Sequence, residues 1–465
     1  MSVKKAFHLF NTLSGNKEKL EAIDPKHLKI YACGPTVYNY AHIGNARMAV
    51  VFDTLVRTLR MIYPKVTYVS NITDIDDKII DAAMEQNVEI TSITEKYTQI
   101  YNEDMSKLNV LQPDIQPKAT EYISEMIDLI VELIEKDFAY EKEGHVLFHV
   151  PTYQNYGKLS NRNREEQIAG SRVEVAPFKK DPADFVLWKP STDEQPGWDA
   201  PWGVGRPGWH TECSAMSKKT LGLPFDIHGG GRDLIFPHHE NEIAQSCCSS
   251  ANVNEPDSYA KYWMHNGFVT INGEKMSKSL GNIILTKDLT SEYHGEVIRL
   301  ALLSTHYRQG LDWNDSIIHQ SKKLLDKLYK IYFDLSEIGA TEDDNSFSII
   351  DSLLDDLNTP ALISKLNKLV KDYSKDKDTN HVLIKTKLNI IGSALGILQD
   401  ENYNDISISE ELQVKIKKLL SERVLAKEKK DFSHADKIRD ELRELGVEIK
   451  DCLLYTSPSP RDKRQ

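Results

Sequence analysis

The sequence predicts an α/β protein: a parallel-sheet domain split by an insertion, then an α-helical bundle and a small C-terminal unit. Three observations predict it. Strand-like and helix-like segments alternate over residues 29–83, the order that builds a parallel sheet with helices on its faces. From about residue 120 to Gly205 short apolar runs separated by turns replace that alternation. From residue 316 to 399 only helical periodicity remains.

Taken in order, residues 29–33 read as a strand that ends in a turn at Gly34-Pro35. Met48, Val51, Phe52, Leu55, Leu59 and Ile62 then recur at three- and four-residue spacing, one apolar helical stripe with Pro64 beyond its end. Residues 66–69 read as the next strand and 71–83 as a further helix. An insertion over 121–204 opens with a helix carrying Ile123, Ile127, Ile130 and Ile134. The stretch 205–250 returns to the sheet domain, which therefore comprises 1–120 and 205–250. Residues 251–315 read as a linking region with a lysine-rich loop. In the bundle, 316–400, one helix face gathers Leu324, Leu325, Leu328, Ile331, Tyr332 and Leu335, and another gathers Leu362, Leu366, Leu369 and Tyr373. The last unit, 401–451, opens with a polar break at 401–409 and continues as an amphipathic stretch over 411–451. The tail, 452–465, reads as translated sequencing adapter, a non-native end that leaves the small unit truncated.

Composition narrows the function. Apolar residues make up 40% and charged residues 28%, ordinary for a globular protein. No run of about 18 apolar residues offers a membrane span, and the first residues lack the apolar core of a signal peptide, so a cytoplasmic protein with no membrane partner is expected. Five cysteines in 465 residues are too sparse for a disulfide framework. A net charge of −12 argues against indiscriminate nucleic-acid binding and leaves room for a specific RNA contact through a local basic surface.

Three constellations carry chemistry. The first, Thr36 through His42-Ile43-Gly44-Asn45, follows a strand and opens a helix, where free N–H groups favour a phosphate. An imidazole at that turn can donate to a phosphate as it gains charge. The second, Gly273-Glu274-Lys275-Met276-Ser277-Lys278-Ser279, places two lysines on one loop, mobile cations for a pyrophosphate leaving group. The third is His238 and Glu242, at i and i+4 and so on one helical face, together with Cys33 and Cys213 as thiolate donors. Two sulfurs, an imidazole and a carboxylate make a plausible zinc set, but spacing alone does not join residues so far apart, and two core cysteines beside a surface pair fit the spacing equally well.

In this order the first two motifs resemble the signature motifs of class I aminoacyl-tRNA synthetases. The strings Tyr31-Ala32-Cys33-Gly34-Pro35-Thr36, Asn71-Ile72-Thr73-Asp74-Ile75-Asp76-Asp77-Lys78, Trp209-His210-Thr211-Glu212-Cys213-Ser214-Ala215-Met216 and Asp226-Ile227-His228-Gly229-Gly230-Gly231 resemble the cysteinyl branch of that family, over essentially residues 1–451. One departure is Asn45, where many members carry histidine; the cysteinyl branch often has asparagine or histidine there. The resemblance implies a Rossmann-like catalytic domain, activation of L-cysteine with Mg-ATP, transfer to tRNA(Cys), one zinc held by Cys33, Cys213, His238 and Glu242, and a monomer. It implies His42, Lys275 and Lys278 as the catalytic groups. Thr36, His42, Gly44, Asn45, His228, Gly229, Gly230 and Lys278 would bind ATP, and Thr73 and Trp209 would line the amino-acid pocket; Asp233 is the candidate for the ammonium group. The bundle would hold tRNA, with Asp355-Asp356-Leu357-Asn358-Thr359-Pro360 matching a motif found there, and the last unit, with Lys429, Lys430 and Phe432, would read the anticodon. Two other readings stand beside this one: a ligase joining cysteine to an amino sugar, similar in its catalytic half, and a catalytically silent paralogue.

Overall fold

The computed structural model describes residues 6–170, 177–250, 255–277, 279–341, 344–375, 380–403, 410–429 and 431–444. It divides into two compact units, 1–399 and 400–465. The tail 452–465, expected to be non-native, and Lys278 and Lys430 lie outside the described residues.

The first unit begins with a hairpin, β1 (His8–Asn11) and β2 (Asn16–Lys19), followed by β3 (Leu28–Ala32), α1 (Ile43–Arg60), β4 (Val66–Ser70), α2 (Asp77–Gln86), α3 (Ile90–Lys107) and α4 (Ile123–Glu135). The insertion carries β5 (Ala139–Lys142), β6 (His145–Phe148), α5 (Arg164–Gly170), β7 (Phe185–Pro190) and β8 (Gly205–Pro207), whose strands form one antiparallel sheet in sequence order. The chain then returns through α6 (Trp209–Leu221), β9 (Phe225–Gly231), α7 (Glu240–Ser249) and β10 (Ala260–Asn266). The central sheet has the order β10-β9-β3-β4, and all three pairings are parallel. Such a sheet must be covered on both faces. Helix α1 shows the result: thirteen of its eighteen residues are buried, far more than the single stripe its periodicity marks.

Two boundaries differ from the sequence reading. Strand β10 belongs to the catalytic sheet, although residues 251–315 read as a linker. Six of its seven residues are buried, yet AKYWMHN interleaves Lys, His and Asn with aromatics and has neither alternation nor a plain apolar run. Helix α2 begins at Asp77, six residues later than expected. Residues 71–76 run in an extended path, with Thr73 bridged to Thr36, and Asp76 caps the helix by accepting from the Lys78 N–H.

Beyond the sheet come β11 (Val269–Ile271), β12 (Glu274–Lys275), α8 (Thr286–Glu292), α9 (Gly295–Leu302), β13 (Leu311–Trp313) and the helices α10 (Asp315–Asp334), α11 (Asp344–Phe347), α12 (Thr359–Lys375) and α13 (His381–Leu395). Strand β11 pairs in parallel with β13 and antiparallel with β12. In the second unit α14 (Glu410–Glu428) and α15 (Phe432–Glu444) pack as a helical pair around Leu419, Ile438 and Leu442. Among the described residues no helix is long and apolar enough to cross a membrane.

Candidate active site

The C-terminal ends of β3 and β9 and the start of α6 and α7 meet beneath the first helix, the place where parallel α/β sheets carry ligands. Cys33 follows β3, Cys213 lies in the first turns of α6, His238 precedes α7 and Glu242 lies in its first turn. Their ligand atoms all lie within 4.8 Å of one another, so the group could hold a metal ion. Cys33 Sγ is 3.6 Å from Cys213 Sγ and 3.4 Å from Glu242 Oε1, and His238 Nε2 is 3.1 Å from that same oxygen. A tetrahedral zinc with bonds of roughly 2.0–2.3 Å separates its ligands by about 3.3–3.8 Å, close to these distances. All four side chains are buried. Burial, and then the neighbouring Cys213 and Glu242, pushes the Cys33 thiol well above its usual range. Burial alone would also raise Glu242, but His228 and His238 outweigh it and hold the carboxyl below its usual range.

Glu242 divides its two oxygens. Oε1 faces Cys33 and His238, whereas Oε2 is 2.8 Å from His228 Nε2 and accepts from the Tyr259 hydroxyl at 2.6 Å. A second buried group, Cys33, His228, His239 and Glu242, satisfies the same distance criterion. Here His239 Nε2 reaches Cys33 Sγ at 3.4 Å, and its other nitrogen pairs with His265, which in turn pairs with Thr12. His238 is held from behind by His210, Nδ1 to Nδ1 at 2.8 Å, and Trp209 lies over its ring at a centroid distance of 4.2 Å.

The phosphate-side motif is a helix cap. His42 Nδ1 accepts from the N–H groups of Gly44 at 3.1 Å and Asn45 at 3.3 Å, and Asn45 Oδ1 accepts from the His42 N–H at 3.1 Å, a reciprocal capping box. Asparagine at position 45 therefore has a structural task. With Nδ1 accepting, the ring proton resides on Nε2, which leaves a donor facing away from the helix. Burial lowers the His42 pKa, so the neutral ring is favoured. The lysine-rich loop returns to this turn: Ile43 N–H donates to Ile284 O and Thr286 N–H to Ala41 O. Inside the loop, Ser277 N–H donates to Asn282 Oδ1, and Asn282 Nδ2 donates to Lys275 O. Lys275 is exposed at the end of β12.

Comparison with known proteins decides the family. Residues 19–323 match the family model of the tRNA synthetases class I (C) catalytic domain. A Parvibaculum lavamentivorans protein named cysteine–tRNA ligase is 51% identical over 461 residues, covering 98% of each chain. One of the same name from Rhodospirillum rubrum is 48% identical over 450 residues, 96% of this chain and 97% of its own. The chain belongs to the cysteine–tRNA ligase family. Its fold extends to more distant class I enzymes. Mycobacterium tuberculosis methionyl-tRNA synthetase in complex with methionyl-adenylate aligns with TM-score 0.56 at 14% identity, over 80% of this chain and 89% of that one. An Agrobacterium radiobacter leucyl enzyme (LeuRS), solved with tRNA, aligns with TM-score 0.57 at 12% identity, over 81% and 84%.

Within this ligase fold the remaining predicted residues occupy different surroundings. Thr36 lines a cavity of about 470 Å³ together with Trp209, His210 and Phe236 on one side and Phe178 and Lys179 of the insertion on the other. Thr73 is buried and donates to Glu212 Oε2 at 2.9 Å. Asp233 is exposed on the turn after β9, near enough to His42 to act on its charge. His228, expected at the nucleotide, is fully buried under Glu242. Gly229 is explained by packing as well, since a Cβ there would lie 2.2 Å from the Phe52 ring of α1. Sequence reasoning assigned no role to Tyr259, His265 or Glu212. Tyr259 and His265 stand outside every motif quoted above, while Glu212 sat inside the Trp209–Met216 string without a signal of its own.

Proposed function

We propose that this protein activates L-cysteine with ATP and transfers it to the 3′ end of tRNA(Cys), with zinc in the Cys33, Cys213, His238 and Glu242 cluster selecting the thiol. The observation that carries the reading is the meeting of four buried donors, two of them sulfur, in a chain whose His42 caps the first sheet helix and whose lysine loop returns to that turn. Two thiols favour zinc over a hard cation, and the set containing both is preferred to the one with His228 and His239. A zinc ion held there would supply a borderline-soft Lewis acid with a preference for a thiolate over a hydroxyl. Cys33, Cys213, His238 and Glu242 would hold it; His228 and Tyr259 fix the carboxylate, and His210 fixes His238. An apolar pocket would reject serine only weakly, and a metal–sulfur contact removes the need for editing.

In activation, the cysteine carboxylate attacks the α-phosphate of Mg-ATP; the new C–O–P bond forms as the bond to pyrophosphate breaks. His42 Nε2 donates to the phosphate as charge builds, Lys278 with Lys275 in support balances the leaving pyrophosphate, and the N–H groups around Gly44 and Asn45 favour the anion. Thr36, Gly229 and Gly230 complete the nucleotide seat. Thr73 and Trp209 border the amino acid, and Asp233 faces its ammonium group. The 2′-hydroxyl of the terminal adenosine then attacks the carbonyl and AMP leaves. The helices of 316–400 hold the tRNA, and the unit 401–451 reads its anticodon.

The test is ATP–pyrophosphate exchange with cysteine and with serine, followed by transfer of labelled cysteine. Exchange that needs cysteine, ignores serine and delivers label to tRNA is expected. No exchange, equal use of serine, or label on an amino sugar instead of tRNA overturns the proposal.

A further inference from the structure

The capping turn and the lysine loop must keep a fixed separation if both are to address one nucleotide, and one buried side chain ties the helix after the turn to the strands that lead to the loop. Arg47 lies five residues beyond His42 on α1 and is fully buried. Its Nη1 donates to Gly267 O at 3.0 Å and to Phe268 O at 2.7 Å; its Nη2 donates to His306 O at 3.3 Å and to Gln309 O at 2.7 Å. These carbonyls come from the two segments that immediately precede β11 and β13. Those segments are also tied to each other, since Gly267 N–H donates to Tyr307 O and Leu311 N–H to Phe268 O. Strand β11 continues into the turn at Asn272-Gly273, pinned by Asp312 of β13, and then into β12, from which the lysine loop departs. A planar fork aimed at four main-chain acceptors holds both strands at their starts; an ammonium on a flexible stem cannot reproduce it. Burial alone lowers the Arg47 pKa to about 10, so the charge is kept at neutral pH at a desolvation cost offset by carbonyls.

We propose that Arg47 is a positioning residue for the activation reaction: its guanidinium sets the β11–β13 strand pair, and with it the lysine loop, against the His42 turn. The inference rests on the activation of cysteine proposed above. Cysteine itself sits by the donor cluster, to which Arg47 makes no bond. A weakened clamp therefore lowers the rate of activation and leaves cysteine binding in place. Gly267 provides an independent route to the same displacement, because a Cβ there would lie 2.3 Å from Gln309 O and push the two segments apart with Arg47 intact.

The experiment is cysteine-dependent ATP–pyrophosphate exchange in the full chain for Arg47→Lys and Gly267→Ala. Arg299→Lys serves as the control, since Arg299 is equally buried but bonds to Asp53 and to the carbonyls of Leu395 and Leu108. In both test variants kcat should fall about 10- to 100-fold with the KM for cysteine nearly unchanged. Arg299→Lys should lower the melting temperature without that split. A wild-type chain with no cysteine-dependent exchange contradicts the functional reading, not the role of Arg47. Unchanged kcat in folded Arg47→Lys and Gly267→Ala overturns the role, as does a rise in KM for cysteine matching the loss of kcat. Loss of fold in both variants while Arg299→Lys folds makes Arg47 merely structural and overturns it too.

Discussion

The donor cluster after β3 and the lysine loop after β12 are built in opposite ways. Cys33, Cys213 and the His238/Glu242 pair come from three separate segments, are buried, and are braced from outside by His210, His228 and Tyr259. The loop is exposed at Lys275 and Leu280, and the bonds that anchor it run largely to main-chain atoms. The difference matches the role proposed for each. Discrimination between a thiol and a hydroxyl needs ligands fixed before the substrate arrives, whereas stabilising a leaving group needs charge placed where it develops.

If that contrast is right, the largest effect belongs to the cluster. Cys213→Ser keeps the shape of the site but hardens one ligand, and cysteine-dependent exchange should fall about a thousandfold or more, with bound zinc lost in parallel by metal analysis. Normal exchange in a metal-depleted Cys213→Ser protein would erase the distinction between the two regions. Lys278→Ala should lower kcat for activation about a hundredfold and barely change the KM for cysteine, the signature of an interaction made in the transition state. Weak cysteine binding at a near-normal rate would move Lys278 to the other side of the comparison. Tyr259→Phe sharpens the cluster side: it removes one donor to Glu242 Oε2 and should weaken zinc about tenfold, measured by competition with a chelator. An unaltered zinc affinity would show that the carboxylate needs no brace. The smallest effect should come from deleting 452–465, since every residue assigned to activation lies before 280; a drop in exchange would mean the tail acts on the site.

The two regions also differ in how far they could be read from sequence. The His42 turn and the lysine loop are contiguous strings whose residue types state their chemistry, and the parallel sheet was foreshadowed by strand–helix alternation over 29–83. The cluster was different. His238 and Glu242 announced themselves as an i,i+4 pair, but Cys33 and Cys213 joined them only through family resemblance, because spacing does not report which strand ends adjoin. The contact of His228 with Glu242 was hidden for the same reason: a histidine before three glycines resembles a nucleotide floor, and its neighbour in α7 is set by packing. Strand β10 and Arg47 were invisible because their neighbours are distant in the chain, and a lone buried arginine carries no local periodicity.

Zinc in this cluster is proposed to recognise the substrate sulfur itself. X-ray absorption at the zinc edge counts sulfur neighbours directly, at about 2.3 Å each. Two sulfurs are expected in the free protein, three when cysteine is added, and still two when serine is added. A count that stays at two with saturating cysteine would contradict it.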